Sequence, residues 1–268
     1  FCVMMSKVKS NSLGSDLQLS WDESDVSLMV DYYETIFPKD SSIDRFVQLP
    51  FSKIISRSSE SHVYDVQTFL QLVYLDAMGY ARRRKNKCTK DVFGEVLEKY
   101  CVTRNWWIIT RDELSLSLGQ SNFHVSDIQD LPLNDDSVDG IITSPPYSFA
   151  IDYADNDKPQ LDYLGIDTGE LKSRMIGLRG ETKQEIINNY LLDMEHAIHE
   201  MRRVLKKGHF CTIIIGSNAI QTGGIRLEEM LRIYASQCNL TLIMEMIKPI
   251  KGIQNTMKEE YIQIYQKS

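Results

Sequence analysis

A chain of 268 residues, 43% apolar and 25% charged, can fill one large core or two smaller ones, and its composition excludes a disordered or fibrous protein. A formal net charge of -7 argues against a module that merely wraps nucleic acid, while leaving room for an enzyme with a local basic groove. No apolar run reaches the roughly 18 residues of a membrane span, and the start, Phe1 to Met5, lacks the flanks of a signal peptide, so no membrane partner and a cytoplasmic location are expected.

Cys2, Cys88, Cys101, Cys211 and Cys238 form no close CxxC pair, and their odd number in a large chain predicts reduced thiols. His196 and His199 share a helical face, but no Glu or Cys completes a ligand pattern, so no metal is expected.

In chain order, residues 1–10 read as an apolar helical piece that begins abruptly. Val26, Met29, Val30, Tyr33 and Phe37 recur at helical spacing over 22–37, with Pro38 as the stop. Val63, Val66, Phe69, Leu70, Val73 and Ala77 predict a helix over 60–80, ended by Gly79. The strongest basic run follows, Arg82-Arg83-Arg84-Lys85-Asn86-Lys87: a solvated loop by default, a phosphate contact as the alternative. A further helix is predicted over 90–118, with Trp106 and Trp107 in a core or a partner interface.

The rhythm changes near residue 122. Asn122 to Asp127 reads as a short strand ending in an acid, and Ser137 to Thr143 as a second strand ended by Ser144-Pro145-Pro146. Ile186, Ile187, Tyr190, Leu191, Met194, Ile198, Met201 and Leu205 predict a long amphipathic helix over 183–205, with Lys206-Lys207-Gly208 as its stop. A buried-type strand over 209–216, a helix over 224–238, and strands over 240–247 and 259–265 follow, the last two close enough for an antiparallel hairpin. This is an α/β pattern, unlike the helical first 120 residues, and the boundary falls near 118–121.

Ligands of open α/β sheets bind beyond the carboxyl ends of strands. Asp127 and Ser144-Pro145-Pro146-Tyr147 occupy two such ends, and if the strands are neighbours both line one crevice. Two successive prolines hold the backbone extended and leave carbonyls free as acceptors. An amino group on a base is a donor, so the Ser144 side chain and the Pro145 carbonyl could fix its nitrogen with the lone pair aimed at a methyl donor. Tyr147 could stack on the base, which must first leave its duplex. The plain alternative is a rigid turn after a strand. Lys172, Arg174 and Arg179 lie in a glycine-punctuated stretch that reads either as a loop touching DNA backbone or as an ordinary exposed loop.

The flanks add a resemblance. VSDIQDLPLNDDSVDGIITSPPY, the following SFAIDYADNDKPQLDYLGI, LKKGHFCTIIIGSN and the terminal EEYIQIYQK are similar to the DNA amino-methyltransferase family, the enzymes of cytosine-N4 and adenine-N6 methylation. The resemblance implies an α/β fold with a Rossmann-like methyltransferase sheet and S-adenosyl-L-methionine as cofactor. It implies that Asp127 binds the cofactor's adenine amino group, that Ser144, Pro145, Pro146 and Tyr147 form the catalytic motif with Ser144 also bordering the cofactor, and that Asp152 and Tyr153 sit by the active site. Double-stranded DNA is the expected partner, with Arg82, Arg83, Arg84, Lys85 and Arg174 as further nucleic-acid contacts. Residues 1–12 are then a remnant of the amino-terminal methyltransferase segment, 13–120 a helical insertion or target-recognition region, and 121–268 the catalytic domain.

One departure stands out. The family's glycine-rich cofactor loop is absent, and Gly216-Ser217-Asn218 and Gly223-Gly224 are poor substitutes. The sheet is therefore expected to be incomplete at its amino-terminal end, with the missing segment upstream or in a companion chain. Ser in front of Pro-Pro favours cytosine-N4 over adenine-N6. The alternatives are an RNA base amino-methyltransferase and a non-catalytic scaffold subunit of a methyltransferase complex.

Overall fold

The computed structural model describes residues 2–14, 21–49, 60–147, 152–216, 222, 224–250 and 259–268. In chain order come α1 (Cys2–Gly14), α2 (Glu23–Asp31) with a π-helical turn (Tyr32–Ile36), α3 (Ile43–Val47), α4 (Glu60–Arg83) and α5 (Thr89–Glu113). There follow β1 (Val138–Thr143), α6 (Tyr153–Asn156), α7 (Lys158–Tyr163), α8 (Thr168–Arg174), α9 (Lys183–Val204), β2 (Leu205–Ile215), α10 (Leu227–Gln237), β3 (Leu240–Pro249) and β4 (Glu259–Lys267). The chain divides into a helical unit, Phe1–Val125 with Asn156–Ile166, and a sheet unit, Ser126–Asp155 with Asp167–Ser268. Ser148 to Ile151, Ser217, Asn218 and Gly223, which the sequence reading touches, lie outside the described residues.

The helical unit follows from its apolar periodicity. Asp22 caps α2 by accepting the N–H groups of Ser24 and Asp25, and Asp25 returns a carboxylate to the Asp22 N–H, a reciprocal capping box. Met29, Tyr33, Phe69, Leu70, Val73, Phe93 and Leu97 close one core. Tyr33 brings its hydroxyl into that core because it donates to the Gln67 carbonyl at 2.6 Å. Gly79 is not the stop expected of it: α4 runs on to Arg83. A Cβ at Gly79 would collide with the Gln160 amide nitrogen on α7, so the glycine admits a neighbour instead of ending a helix. Arg82 and Arg83 are accordingly helical rather than loop, and α5 stops at Glu113, short of the 118 expected. Trp106 and Trp107 are both exposed, outside the core in which the sequence reading had put them as one choice.

In the sheet unit the strand order is β1-β2-β4-β3, with β1 parallel to β2 and β4 antiparallel to both its neighbours. The terminal hairpin is thus present, and its second strand inserts against β2. Cys211, Ile213, Ile215 and Tyr265 point to one face, where α9 packs on β2 and α10 on β3. From α9, Tyr190, Met194, Ala197, Ile198 and Met201 supply the covering stripe, at the three- and four-residue spacing read from the sequence. The paired row Ile142, Thr212, Ile264 and Met244 faces the other way, and Ile142 there is 82% exposed.

Two expectations about strands fail. Residues 122–126 form no strand; Asp127 sits before a turn in exposed chain. β1 is an edge strand among the described residues, its second edge unpaired. Gly208 is not a helix stop either, because α9 ends at Val204 and β2 begins at once. Between the pairs Val138–Leu205 and Gly140–Phe210 the β2 side advances five residues for two on β1, a bulge. Gly208, at φ 78°, takes the left-handed conformation which that bulge requires.

All five cysteines are free, and burial pushes the Cys211 thiol up to about 12. Among the described residues no helix is long and apolar enough to cross a membrane.

Candidate active site

The approach to β1 is clamped from α9. Arg203 donates to the carbonyls of Leu131 and Leu133 and pairs with Asp135 and Glu200, while Glu200 accepts the Leu131 N–H at 2.8 Å. These bonds fix where β1 enters the sheet, and therefore where it leaves.

It leaves at Ser144. The serine is exposed, Pro145 is buried and Pro146 half-buried, so a stiff turn presents a hydroxyl at the carboxyl end of a parallel strand. The Ser144 hydroxyl lies 3.3 Å from the Tyr147 hydroxyl, which donates at 2.9 Å to Glu260 at the start of β4. Lys248, on β3, lies 3.4 Å from the same carboxylate. Burial raises the Tyr147 phenol above its ordinary range; Ser144 pulls it down, and the Glu260 carboxylate pushes it up again. It stays a neutral donor at physiological pH.

Tyr147 corrects one expectation. Its side chain is only 9% exposed and joins Tyr190 in the core under α9, so the ring has no open face on which a base could stack. It acts instead as a strut for the turn. The Tyr190 hydroxyl is buried without a hydrogen-bond partner among the described residues, and its phenol is raised by burial and by the neighbouring Tyr147 and Tyr153.

Asp152 and Tyr153 open the next segment. Partial burial would raise the Asp152 carboxyl, but the Lys172 ammonium and the N–H groups of Asp155 and Ala154 outweigh it and hold the group below the usual carboxylate range. Lys172 reaches it at 2.6 Å. Asp127 is exposed, and one of its oxygens accepts the Gln129 N–H at 2.9 Å, an Asx turn. Gln129 ties that turn to α9 through Asp193 and His196, and Asp193 pairs with Arg179.

The remaining cations are less available than the sequence suggests. Arg174 pairs with Glu170 at 3.1 Å. In the helical unit Arg84 pairs with Glu95 at 2.6 Å, and Arg83 lies over the Tyr80 ring. Arg82 and Lys85 are exposed. Among the described residues no His, Cys, Asp and Glu cluster has the form of a metal site.

A parallel strand pair is continued by an antiparallel hairpin, with a proline-stiffened turn at the first strand's carboxyl end, in a mixed α/β sheet. The sequence model of the N6/N4 DNA methylase family matches residues 138–268.

Among solved structures, a protein of Thermus thermophilus described as a DNA modification methylase is 19% identical, with a TM-score of 0.35 over 54% of this chain and 52% of its own. The same protein complexed with S-adenosyl-L-methionine gives 18% identity and a TM-score of 0.34 over 54% of each chain. A SAM-dependent methyltransferase of Methanosarcina mazei is 13% identical, with a TM-score of 0.36 over 60% of this chain and 76% of its own. The chain thus spans about half the length of the Thermus protein, and superpositions this loose carry no functional weight. No curated protein matches the chain.

Glu260 was missed from the sequence. In EEYIQIYQK it reads as one more polar residue of an alternating strand, and only the insertion of β4 beside β2 brings it to Tyr147.

Proposed function

We propose that this chain is the catalytic part of a DNA methyltransferase that uses S-adenosyl-L-methionine to methylate the exocyclic amino group of a flipped base, cytosine-N4 ahead of adenine-N6. One observation carries the reading: an exposed Ser144 hydroxyl at the end of β1, backed by a hydrogen-bonded line through Tyr147 to the Glu260 carboxylate.

The chemistry follows from that line. The amine of the extruded base donates to the Ser144 hydroxyl oxygen and to the Pro145 carbonyl, which leaves its lone pair free. With the Ser144 hydrogen turned to Tyr147 and the Tyr147 hydrogen held by Glu260, every dipole in the row makes Ser144 a better acceptor. The same row draws off positive charge as the nitrogen gains its fourth bond, and the proton then leaves to solvent. Asp152 and Tyr153, next in the chain, border the base; Arg82, Arg83, Arg84, Lys85 and Arg174 are assigned to phosphate, with Arg84 and Arg174 exchanging exposed ion pairs for it.

S-adenosyl-L-methionine, when bound, supplies the electrophilic methyl group. The residues fit one end of it: Asp127 is exposed and has a second oxygen able to accept an adenine amino group. They do not fit the methionine end, since no glycine-rich turn follows a strand among the described residues. We therefore assign that cradle to a companion segment, docked on the free edge of β1 and the uncovered sheet face around Ile142. Residues 1–12 and 13–120 are assigned as the methyltransferase remnant and the target-recognition insertion.

The test is transfer of labelled methyl to unmodified duplex DNA and to matched RNA, by the chain alone and with a glycine-loop half-domain supplied in trans. Label in duplex DNA only with the half-domain present, abolished by Pro145→Ala, is expected. Label in RNA alone moves the activity to the RNA reading. No label under any condition leaves the scaffold reading, which the missing cradle favours.

A further inference from the structure

The helical unit holds a cavity of about 370 Å³ between α1, α4 and α5, lined by none of the residues of the candidate active site. A space this large suits a ligand the size of a nucleotide. Its chemistry is set by six side chains: Lys9, Lys99 and Arg104 against a single acid, Asp76, with Tyr100 and Trp107 as aromatic walls. Three cations around one carboxylate stand out in a chain of net charge -7.

The cations are held differently. Arg104 is buried and donates to the Ser12 carbonyl at 2.7 Å, so it shapes the wall. Lys9 is exposed, with its ammonium 5.6 Å from the centre of the Tyr100 ring. Lys99 is exposed, 3.2 Å from the Tyr80 hydroxyl. Both lysines are thus steered by aromatic rings and spared a carboxylate partner among the hydrogen bonds and ion pairs described. The Tyr80 ring is flanked as well by Arg83 at 5.0 Å and Arg84 at 5.6 Å, which continues the basic strip from the cavity to the end of α4. Tyr100 donates to Asp76 at 3.2 Å, and burial together with that carboxylate keeps its phenol neutral. Trp107 is 44% exposed, which leaves part of the indole open at the cavity's mouth.

We propose that this cavity binds a nucleoside 5′-phosphate unit, its phosphate taken by Lys9 and Lys99 and its base set against Trp107, with Asp76 accepting from an amino or imino group. Aromatic walls combined with cations are what an unpaired nucleotide needs, and a hydrogen-bonded duplex offers no free base face to Trp107. The unit belongs either to an unpaired stretch of a nucleic-acid strand or to a free nucleotide. The inference rests on the DNA reading only for the strand to be DNA, and binding is measured without methyl transfer, so either can fail alone.

The experiment uses the full chain and fluorescence anisotropy of a labelled short oligothymidylate, with unlabelled thymidine 5′-monophosphate and a matched duplex as competitors. The lysine changes are made at exposed positions, and thermal melts of each variant check the fold. Trp107→Ala is expected to weaken strand binding about tenfold, and Lys9→Gln with Lys99→Gln to lower the slope of log affinity against log salt by about 0.7 per lysine. Displacement of the strand by millimolar monophosphate assigns the cavity to a free nucleotide; displacement by unlabelled strand alone assigns it to an unpaired stretch. Either supports the site. Binding unchanged in all variants, or binding of duplex alone, overturns it.

Discussion

In the proposed reaction Glu260 decides whether the turn after β1 is chemically active or only rigid. Its carboxylate takes the Tyr147 hydrogen at 2.9 Å, and Tyr147 lies in turn 3.3 Å from Ser144. A carboxylate at the end of a hydrogen-bonded row polarises each member, so removing its charge should act on the transition state and spare DNA binding. Glu260→Gln keeps an acceptor oxygen for Tyr147 and loses the charge. In the reconstituted enzyme kcat should fall about tenfold with KM unchanged, the rate equivalent of one weakened charge-assisted bond. Glu260→Asp should recover part of that rate. A rise in KM with kcat intact would mean that the residue merely holds the loop against the sheet. None of this was readable from the sequence, because a carboxylate in an alternating strand is ordinarily a solvent-side residue and the partner lies 113 positions away. The stop of β1 at Ser144-Pro145-Pro146 was readable, because consecutive prolines constrain the backbone whatever surrounds them.

Helix α9 shows what local pattern can and cannot specify. Its buried stripe from Ile187 to Met201 was legible from spacing, and it starts at the 183 expected, where the structure adds a capping box between Thr182 and Glu185. Thr182→Ala removes the acceptor that the Glu185 N–H finds at 3.2 Å and should lower unfolding stability by about 1 kcal/mol in denaturant titration. The reciprocal half is pH-sensitive. The N–H groups of Glu181 and Thr182 hold the Glu185 carboxyl below its ordinary value, so the folded state favours the ionised form. Its contribution is present above the unfolded value of 4.5 and is lost as pH falls through the depressed folded value. Glu185→Gln should therefore destabilise the neutral protein and make little difference in acid. The end of the same helix was read to within a residue, but Lys206-Lys207-Gly208, which matches a helix stop, lies in β2 instead. Tertiary partners prevailed: Lys206 pairs with Asp139 at 2.7 Å, and the His209 ring meets the Asp139 carbonyl at 2.7 Å. Strand order was equally hidden, since alternation marks a strand without naming its neighbour, and β4 could be placed beside β2 only by folding.

At the scale of the whole molecule the sheet is covered on one face by α9 and α10 and on the other by none of the described elements of its own unit. Parallel strands are stable when both faces are buried, and the second face of the β1–β2 pair carries Ile142 and Phe210 into solvent, with Met244 of β3 exposed on the same side. The two faces should answer mutation differently. Ile213 is fully buried under α9, and Ile213→Ala should cost about 2–5 kcal/mol of stability. Ile142 is mostly in water already, so Ile142→Lys should change the melting of this chain by no more than about 0.5 kcal/mol. A companion half that closes the sheet against β1 would reverse that ranking. A lysine at position 142 would then place an unpaired ammonium in a packed layer, and association, cofactor affinity and methyl transfer should vanish together in the variant whose own melting is untouched. Calorimetry on the chain alone should correspondingly detect no micromolar binding of S-adenosyl-L-methionine, because Asp127 offers one acceptor and no backbone cradle. Micromolar binding by the unaccompanied chain, or full activity of Ile142→Lys beside the companion, would mean that the uncovered face belongs to solvent and that the cofactor is held by residues already present.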